Sequence, residues 1–175
     1  MVDFDTALTF TLKEEGGFVN NMMDHGGATN YGIIQSTYDF YRHANSLPFQ
    51  SVQLISSAEV NAIYYAQFWM PAECSAMACP LDIVHFDWTV QHSVHDATQS
   101  IQVCLGVHAD GQIGPATLAA VKAVDVNTFV PKYLQYRRNW YNAYVVRDPT
   151  QQQFLADWLG RVDRLEAYVQ QWLQS

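Results

Sequence analysis

A chain of 175 residues is long enough to bury one solid core, or two small lobes that share one. Hydrophobic residues make up 49% and aromatics 14%, which excludes a disordered chain because that much apolar surface can offset the entropy of ordering. A formal net charge of −8, with only 9 Lys and Arg, excludes nucleic acid as a partner, since phosphate neutralisation needs clustered cations.

The N-terminus, Met1-Val2-Asp3-Phe4-Asp5, is acidic and lacks a basic segment and an apolar core, so no signal peptide is expected. No apolar run approaches the roughly eighteen residues that span a bilayer. Between Asp3 and Glu15 there is neither Gly nor Pro, and Asp3 or Asp5 suits the exposed first amides, so a helix is predicted. At about 100° per residue Phe4, Ala7, Leu8 and Leu12 share a face, with Glu15 near its centre and Glu14 about a quarter turn away. Glu15 is therefore the glutamate expected to be desolvated, to have a raised pKa and to keep its proton near neutral pH.

Gly16 and Gly17 end that helix and let a bulky ligand approach without meeting a Cβ. Alone, Glu-Gly-Gly reads equally as a helix cap with a solvated charge. Asp24 follows nine residues after Glu15, beside Gly26 and Gly27, and Thr29, Asn30 and Tyr31 add short polar groups and an aromatic surface. Paired carboxylates flanking a slot are what glycoside hydrolysis needs, one as acid and the other stabilising positive charge or activating water. His25 lies between the two acids in sequence.

Ile34, Tyr38 and Tyr41 recur at helical spacing over residues 33–43, and Asn45 to Pro48 breaks the pattern. Ser56 and Glu59 form a capping box that opens a helix through Tyr64, Tyr65 and Phe68, ended by Met70-Pro71. Tyr65 to Trp69 offers an aromatic shelf for a sugar face, while Tyr64 and Phe68 read as readily as core. Leu81 to His92 is apolar on most sides, with Asp87 inside it, either a hydrogen-bonded structural acid or a third cleft carboxylate; the structural role is preferred.

The spacing of His92, His95 and Asp96 permits a metal site but supplies no fourth ligand, and these residues are read instead as lining a lobe junction. A helix follows from Asp96 to Leu105, capped by Gly106; Asp110-Gly111 makes a turn and Gly114-Pro115 opens another helix. Residues 128–146 and 150–173 are long amphipathic helices split by Asp148-Pro149. Cys74, Cys79 and Cys104 are odd in number, which argues against a disulfide framework, although Cys74 and Cys79 are spaced to pair after export.

The run Glu15-Gly16-Gly17-Phe18, then Asp24-x-Gly26-Gly27-x-Thr29-Asn30-Tyr31-Gly32-Ile33, resembles glycoside hydrolase family 108, the N-acetylmuramidases of the lysozyme-like group. Leu105-Gly106-Val107 followed by Asp110 to Thr117 resembles small helical peptidoglycan-binding modules, and Phe154 to Val162 is similar to the family's terminal helix. The resemblance implies a mainly α, lysozyme-like fold with a small irregular or β region near Phe18 to Tyr31. Residues 1–93 would form the hydrolase lobe and residues 94–175 the helical peptidoglycan-binding-like lobe, packed as one unit.

It also implies hydrolysis of the β-1,4 bond between N-acetylmuramic acid and N-acetylglucosamine in peptidoglycan, with Glu15 as general acid. Asp24 and Thr29 would hold water beneath the sugar, as in phage-type lysozymes. Tyr31, Gln35, Trp69, Gln91 and His92 are expected to contact the glycan, with no cofactor or metal. Where the family usually reads Val-Asn-His-Gly, this chain has Val90-Gln91-His92-Ser93, a departure that bears on the turn and the sugar contacts. A chitin-type glycosidase and a non-catalytic wall-binding or secretion-accessory protein are the rival readings. The chain is expected to be a monomer that reaches the periplasm or wall through a holin or a secretion apparatus; as a secreted effector it would have an immunity protein plugging the cleft.

Overall fold

Eight α-helices and three short strands account for the regular structure in the computed structural model, which describes residues 4–20 and 28–173. Helix α1 (Phe4–Glu15) leads into a small antiparallel sheet, β1 (Val19–Asn20), β2 (Ala28–Asn30) and β3 (Ile33–Ile34), in that spatial order. Thr29 stands opposite Val19 on one side and Ile34 on the other. Then come α2 (Gln35–Ala44), α3 (Ser57–Tyr64), α4 (Leu81–Gln91), α5 (Val94–Leu105), α6 (Pro115–Ala123), α7 (Val126–Arg147) and α8 (Leu155–Leu173).

Local chemistry explains most boundaries. The Ser56 hydroxyl accepts from the Glu59 amide while the Glu59 carboxylate accepts from the Ser56 amide, the reciprocal capping box that opens α3. Gly106 ends α5 in the left-handed region, φ 73°, and Pro115 begins α6. Ser93 caps α5 by accepting from the Asp96 amide at 3.0 Å, with an extended φ of −170°. The family's glycine is therefore not needed here for backbone freedom, and serine supplies a cap that glycine lacks.

Helix α4 is buried along nearly its whole length, Leu81 to Thr89, and is packed by α1, α5, α7 and α8. The buried apolar cluster draws on residues from Ala7 to Val169, so both halves of the sequence share one core. A helix covered on every side has no solvated face for its polar residues, so each needs an internal partner. The His85 Nδ1 lies 2.9 Å from the Tyr133 hydroxyl, and burial pushes its imidazole down to about 3, which keeps it neutral.

Asp87 is answered by charge. Its carboxylate accepts from Arg137 of α7 at 2.8 Å, from Arg161 of α8 at 2.7 Å and from Thr11 of α1 at 3.3 Å. Burial alone would raise the Asp87 pKa, but the two guanidinium groups outweigh it and hold the carboxyl below the usual range. Asp87 is thus structural, as preferred from sequence, although guanidinium groups rather than backbone amides satisfy it.

Trp69 corrects an expectation. It is only 4% exposed, donates from Nε1 to the Ser75 hydroxyl at 2.8 Å, and packs edge-on against Phe4 and Phe86. Helical spacing would keep Tyr65 and Trp69 on one face, but Tyr65 to Trp69 forms a π turn closed by the Met70 amide on the Tyr65 carbonyl. The wider turn leaves Tyr65 at the surface and carries Trp69 into the core. All three cysteines are free thiols.

Replacing Arg137 by Leu removes one cation and leaves Asp87 under-compensated, so unfolding in denaturant should show a loss of about 3–5 kcal/mol. Asp82 behaves in the opposite way: burial raises its carboxyl to about 6. Between the unfolded value of about 3.9 and about 6, the folded protein holds a proton that the unfolded chain has released, so stability falls as pH rises through that window. Asp82→Asn should therefore gain about 1–2 kcal/mol over wild type at pH 7 and almost nothing at pH 4, read from denaturation curves at the two pH values.

Candidate active site

The last turn of α1 carries Glu14 and Glu15, and α8 supplies a guanidinium to each. Glu15 Oε1 accepts from Arg161 Nη1 at 2.7 Å, while Glu14 accepts from Arg164 Nε at 2.9 Å and Nη2 at 2.6 Å. The Glu15 side chain is 22% accessible and the Glu14 side chain 8%. The apolar face of α1 therefore does not decide which glutamate is covered. Arginines from the far end of the sequence lie over both, and Glu15 is held by a cation rather than by an apolar wall.

The β2–β3 turn closes over the other side of Glu15. Tyr31 and Gly32 both have positive φ, 50° and 72°, as a tight two-residue hairpin turn requires. The Tyr64 hydroxyl donates to the Tyr31 carbonyl at 2.7 Å and pins the turn. A Cβ on Gly32 would stand 2.9 Å from Glu15 Oε2 and 2.8 Å from the Tyr64 oxygen. Glycine here serves both the φ and the close approach of the carboxylate. Burial pushes the Tyr64 phenol well above its ordinary value, and the nearby Glu15 charge adds to the rise, so Tyr64 remains a donor.

Thr29, half-buried on β2, lies one position before Asn30, whose side chain is buried and donates to the Val52 carbonyl at 3.2 Å. Side chains alternate along a strand, so Thr29 occupies the face opposite Asn30. Tyr31 is 37% exposed at the tip of the turn. Gln35 spends its amide on structure: Nε2 donates to Asp39 and to the Gln50 carbonyl, and Oε1 accepts from the Val52 amide at 2.7 Å. Asp24 and His25 lie outside the described residues.

Gln91 and His92 sit at the C-terminal end of α4. Gln91 Oε1 accepts from Arg137 Nη2 at 3.0 Å and from the Tyr141 hydroxyl at 2.5 Å. His92 Nε2 lies 3.1 Å from the same hydroxyl. Burial first, and then Arg137, bring the His92 imidazole down to about 4, so it is neutral near pH 7. Both residues line a groove of roughly 410 Å³ that they share with Asp96, Trp140, Tyr144, Gln151 and Trp158. Polar contacts thus run from Glu15 through Arg161, Asp87 and Arg137 to Gln91.

His92, His95 and Asp96 do not converge. The His95 ring lies over Gly111, where a Cβ would meet it at 2.2 Å, and Asp96 accepts from the Ser93 hydroxyl. Among the described residues no group of three His, Cys, Asp or Glu side chains is placed to hold a metal ion.

Sequence reasoning did not assign Arg161, Arg137, Gly32 or Tyr64 to the site. The arginines left a usable signal: Arg137 and Arg161 fall within otherwise apolar stripes, between Leu134 and Tyr141 and between Trp158 and Leu165. A cation in a buried stripe requires a buried anion. Gly32 stood inside a legible motif, but its closeness to Glu15 is a tertiary fact.

Residues 8–92 match the family model described as glycosyl hydrolase 108, and residues 96–163 match that of a predicted peptidoglycan domain. The gap between the matches falls at the Ser93 cap between α4 and α5. The solved structure of Brucella abortus SagA shares the fold, with a TM-score of 0.78, 24% identity, and coverage of 98% of this chain and 96% of that one. No curated protein matches the sequence.

Gly32→Ala would force a Cβ into the space held by Glu15 Oε2 and the Tyr64 hydroxyl, at a φ that disfavours alanine. A stability loss of about 1–3 kcal/mol is expected in denaturation, with a crystal structure showing the Glu15 carboxylate displaced from Arg161.

Proposed function

We propose that this chain, whose residues 8–92 match glycosyl hydrolase 108 and whose residues 96–163 match a predicted peptidoglycan domain, is a peptidoglycan-acting N-acetylmuramidase with Glu15 as its general acid. The reading rests above all on the two unlike oxygens of Glu15. Oε1 is engaged by Arg161, while Oε2 lies beside Gly32 and the Tyr64 hydroxyl. With Oε1 accepting from Arg161, Oε2 is the oxygen proposed to deliver the proton.

In the proposed reaction Oε2 gives its proton to the glycosidic oxygen as the bond from that oxygen to the anomeric carbon of muramic acid breaks. The resulting oxocarbenium-like centre takes a water molecule, whose proton passes to a base. Asp24 with Thr29 is the proposed pair holding that water. Arg161 keeps the carboxylate left behind in place through charge-assisted hydrogen bonding, and it stays charged because Asp87 and Glu15 outweigh the effect of its burial.

A chitin-type glycosidase would use the same acid on a polymer without the lactyl group, and digestion of chitin oligomers beside purified murein separates the two. The non-catalytic reading drew on the altered Gln91 and Ser93. Both residues have structural partners, in Arg137 with Tyr141 and in Asp96, and neither touches Glu15.

Glu15→Gln should slow clearing of permeabilised bacteria by about 10²–10⁴-fold, the range a general acid supplies. Equal clearing by variant and wild type would remove Glu15 from the chemistry. Mass analysis of the wild-type fragments should find muramic acid at the new reducing ends; N-acetylglucosamine there would assign the other glycosidic bond.

A further inference from the structure

We propose that the groove between the end of α4, α7 and the start of α8 binds a sugar ring of the glycan strand beyond the bond cleaved at Glu15. The identity of the strand rests on the muramidase reading; the groove's preference for neutral sugar rests on its own lining. Trp140, Tyr144 and Trp158 give it aromatic walls, and Gln91, Asp96 and Gln151 give it amide and carboxylate groups. A sugar presents the same combination, an apolar C–H face and a rim of hydroxyl or acetamide groups. The volume, roughly 410 Å³, is ample for one ring with its substituents.

Charge selects among wall components. No Lys or Arg lines the groove, and Asp96 stands at its edge, so a carboxylate-bearing stem peptide finds no cation there. A neutral N-acetylhexosamine needs none. The aromatic pair is already ordered: the Trp140 and Tyr144 rings stack with centroids 5.2 Å apart and planes 6° apart, and Trp158 stacks on Tyr141 at 5.3 Å. Rings fixed before binding lose little rotamer freedom when a ligand arrives.

Gln91 supplies a directed polar contact. Arg137 and Tyr141 hold its Oε1, which fixes the amide plane, and among the described residues no hydrogen bond is made by its Nε2. That nitrogen is a donor for a sugar hydroxyl or acetamide oxygen. The position along the molecule also fits a strand path. Trp158 precedes Arg161 by three residues on α8, about 4.5 Å of helical rise, so the groove opens within one turn of the residue that holds Glu15. Trp140 and Asp96 also border a hollow of roughly 240 Å³ between α5 and α7, lined by Ser100, Val103 and Tyr136.

The test uses the full chain carrying Glu15→Gln, so that probes survive, and soluble murein strands stripped of peptide by an amidase. Titration calorimetry should show that Tyr144→Ala weakens strand binding about tenfold and Gln151→Ala about threefold. Gln151 stands in a surface turn, so its truncation reports on the groove even if Tyr144→Ala lowers the melting temperature. Binding unchanged in Gln151→Ala and in folded Tyr144→Ala, no binding by the parent, or competition by free stem peptide and not by stripped strands would each overturn the proposal. The muramidase reading is judged separately by the reducing ends of wild-type products. Correct ends with groove-independent binding sink only this inference, whereas wrong ends with groove-dependent binding sink only that reading.

Discussion

A carboxylate with no access to water, Asp87, sits between two guanidinium groups that arrive from α7 and α8. Burying an ion costs several kcal/mol unless neighbours neutralise it and satisfy its hydrogen bonds. Asp87 alone would leave an excess positive charge between Arg137 and Arg161. Arg161 turns its remaining nitrogen toward Glu15, the second acid in contact with it. Two acids and two guanidinium groups thus form one hydrogen-bonded set. The candidate catalytic acid, with its side chain 22% accessible, is the most exposed member of that set, and its position is set by the ion pair with Arg161.

This arrangement ties the two halves of the sequence together through buried charge. The acid comes from α1 and its structural counterpart from α4, both in the hydrolase lobe, whereas both cations come from helices of the C-terminal lobe. The residues matched as a predicted peptidoglycan domain thus supply the cations that hold Glu15 and Asp87.

What could be read from sequence divides by range. Caps, glycine stops and the broad run of helices were legible because they depend on residues a few positions apart: Ser56 with Glu59, Gly106 after Leu105, and Pro115 at a helix start. The end of α1 at Glu15 was legible too, through Gly16 and Gly17. The contrast drawn between Glu14 and Glu15 failed because their cover comes from Arg161 and Arg164, far along the chain. Trp69 failed for a local reason, since a π turn leaves no mark in a pattern read at 3.6 residues per turn. Gln35 looked like a sugar contact beside the loop, yet it ties α2 to residues 50–52.

The exchange of Asn for Gln at position 91 is best understood from the same hydrogen-bonded set. Arg137 has donors beyond those that Asp87 can take, and being fully buried it must place them. The longer Gln91 side chain carries Oε1 out to Arg137 Nη2 and to the Tyr141 hydroxyl together. An asparagine, one methylene shorter, would withdraw that acceptor and leave a buried donor to find another partner. Position 91 thus joins two places: its oxygen completes the hydrogen bonding of a core cation, and the residue is also part of the lining of the aromatic groove. A substitution that looked like a loss of sugar contact is, in this fold, how the buried charge cluster reaches the surface.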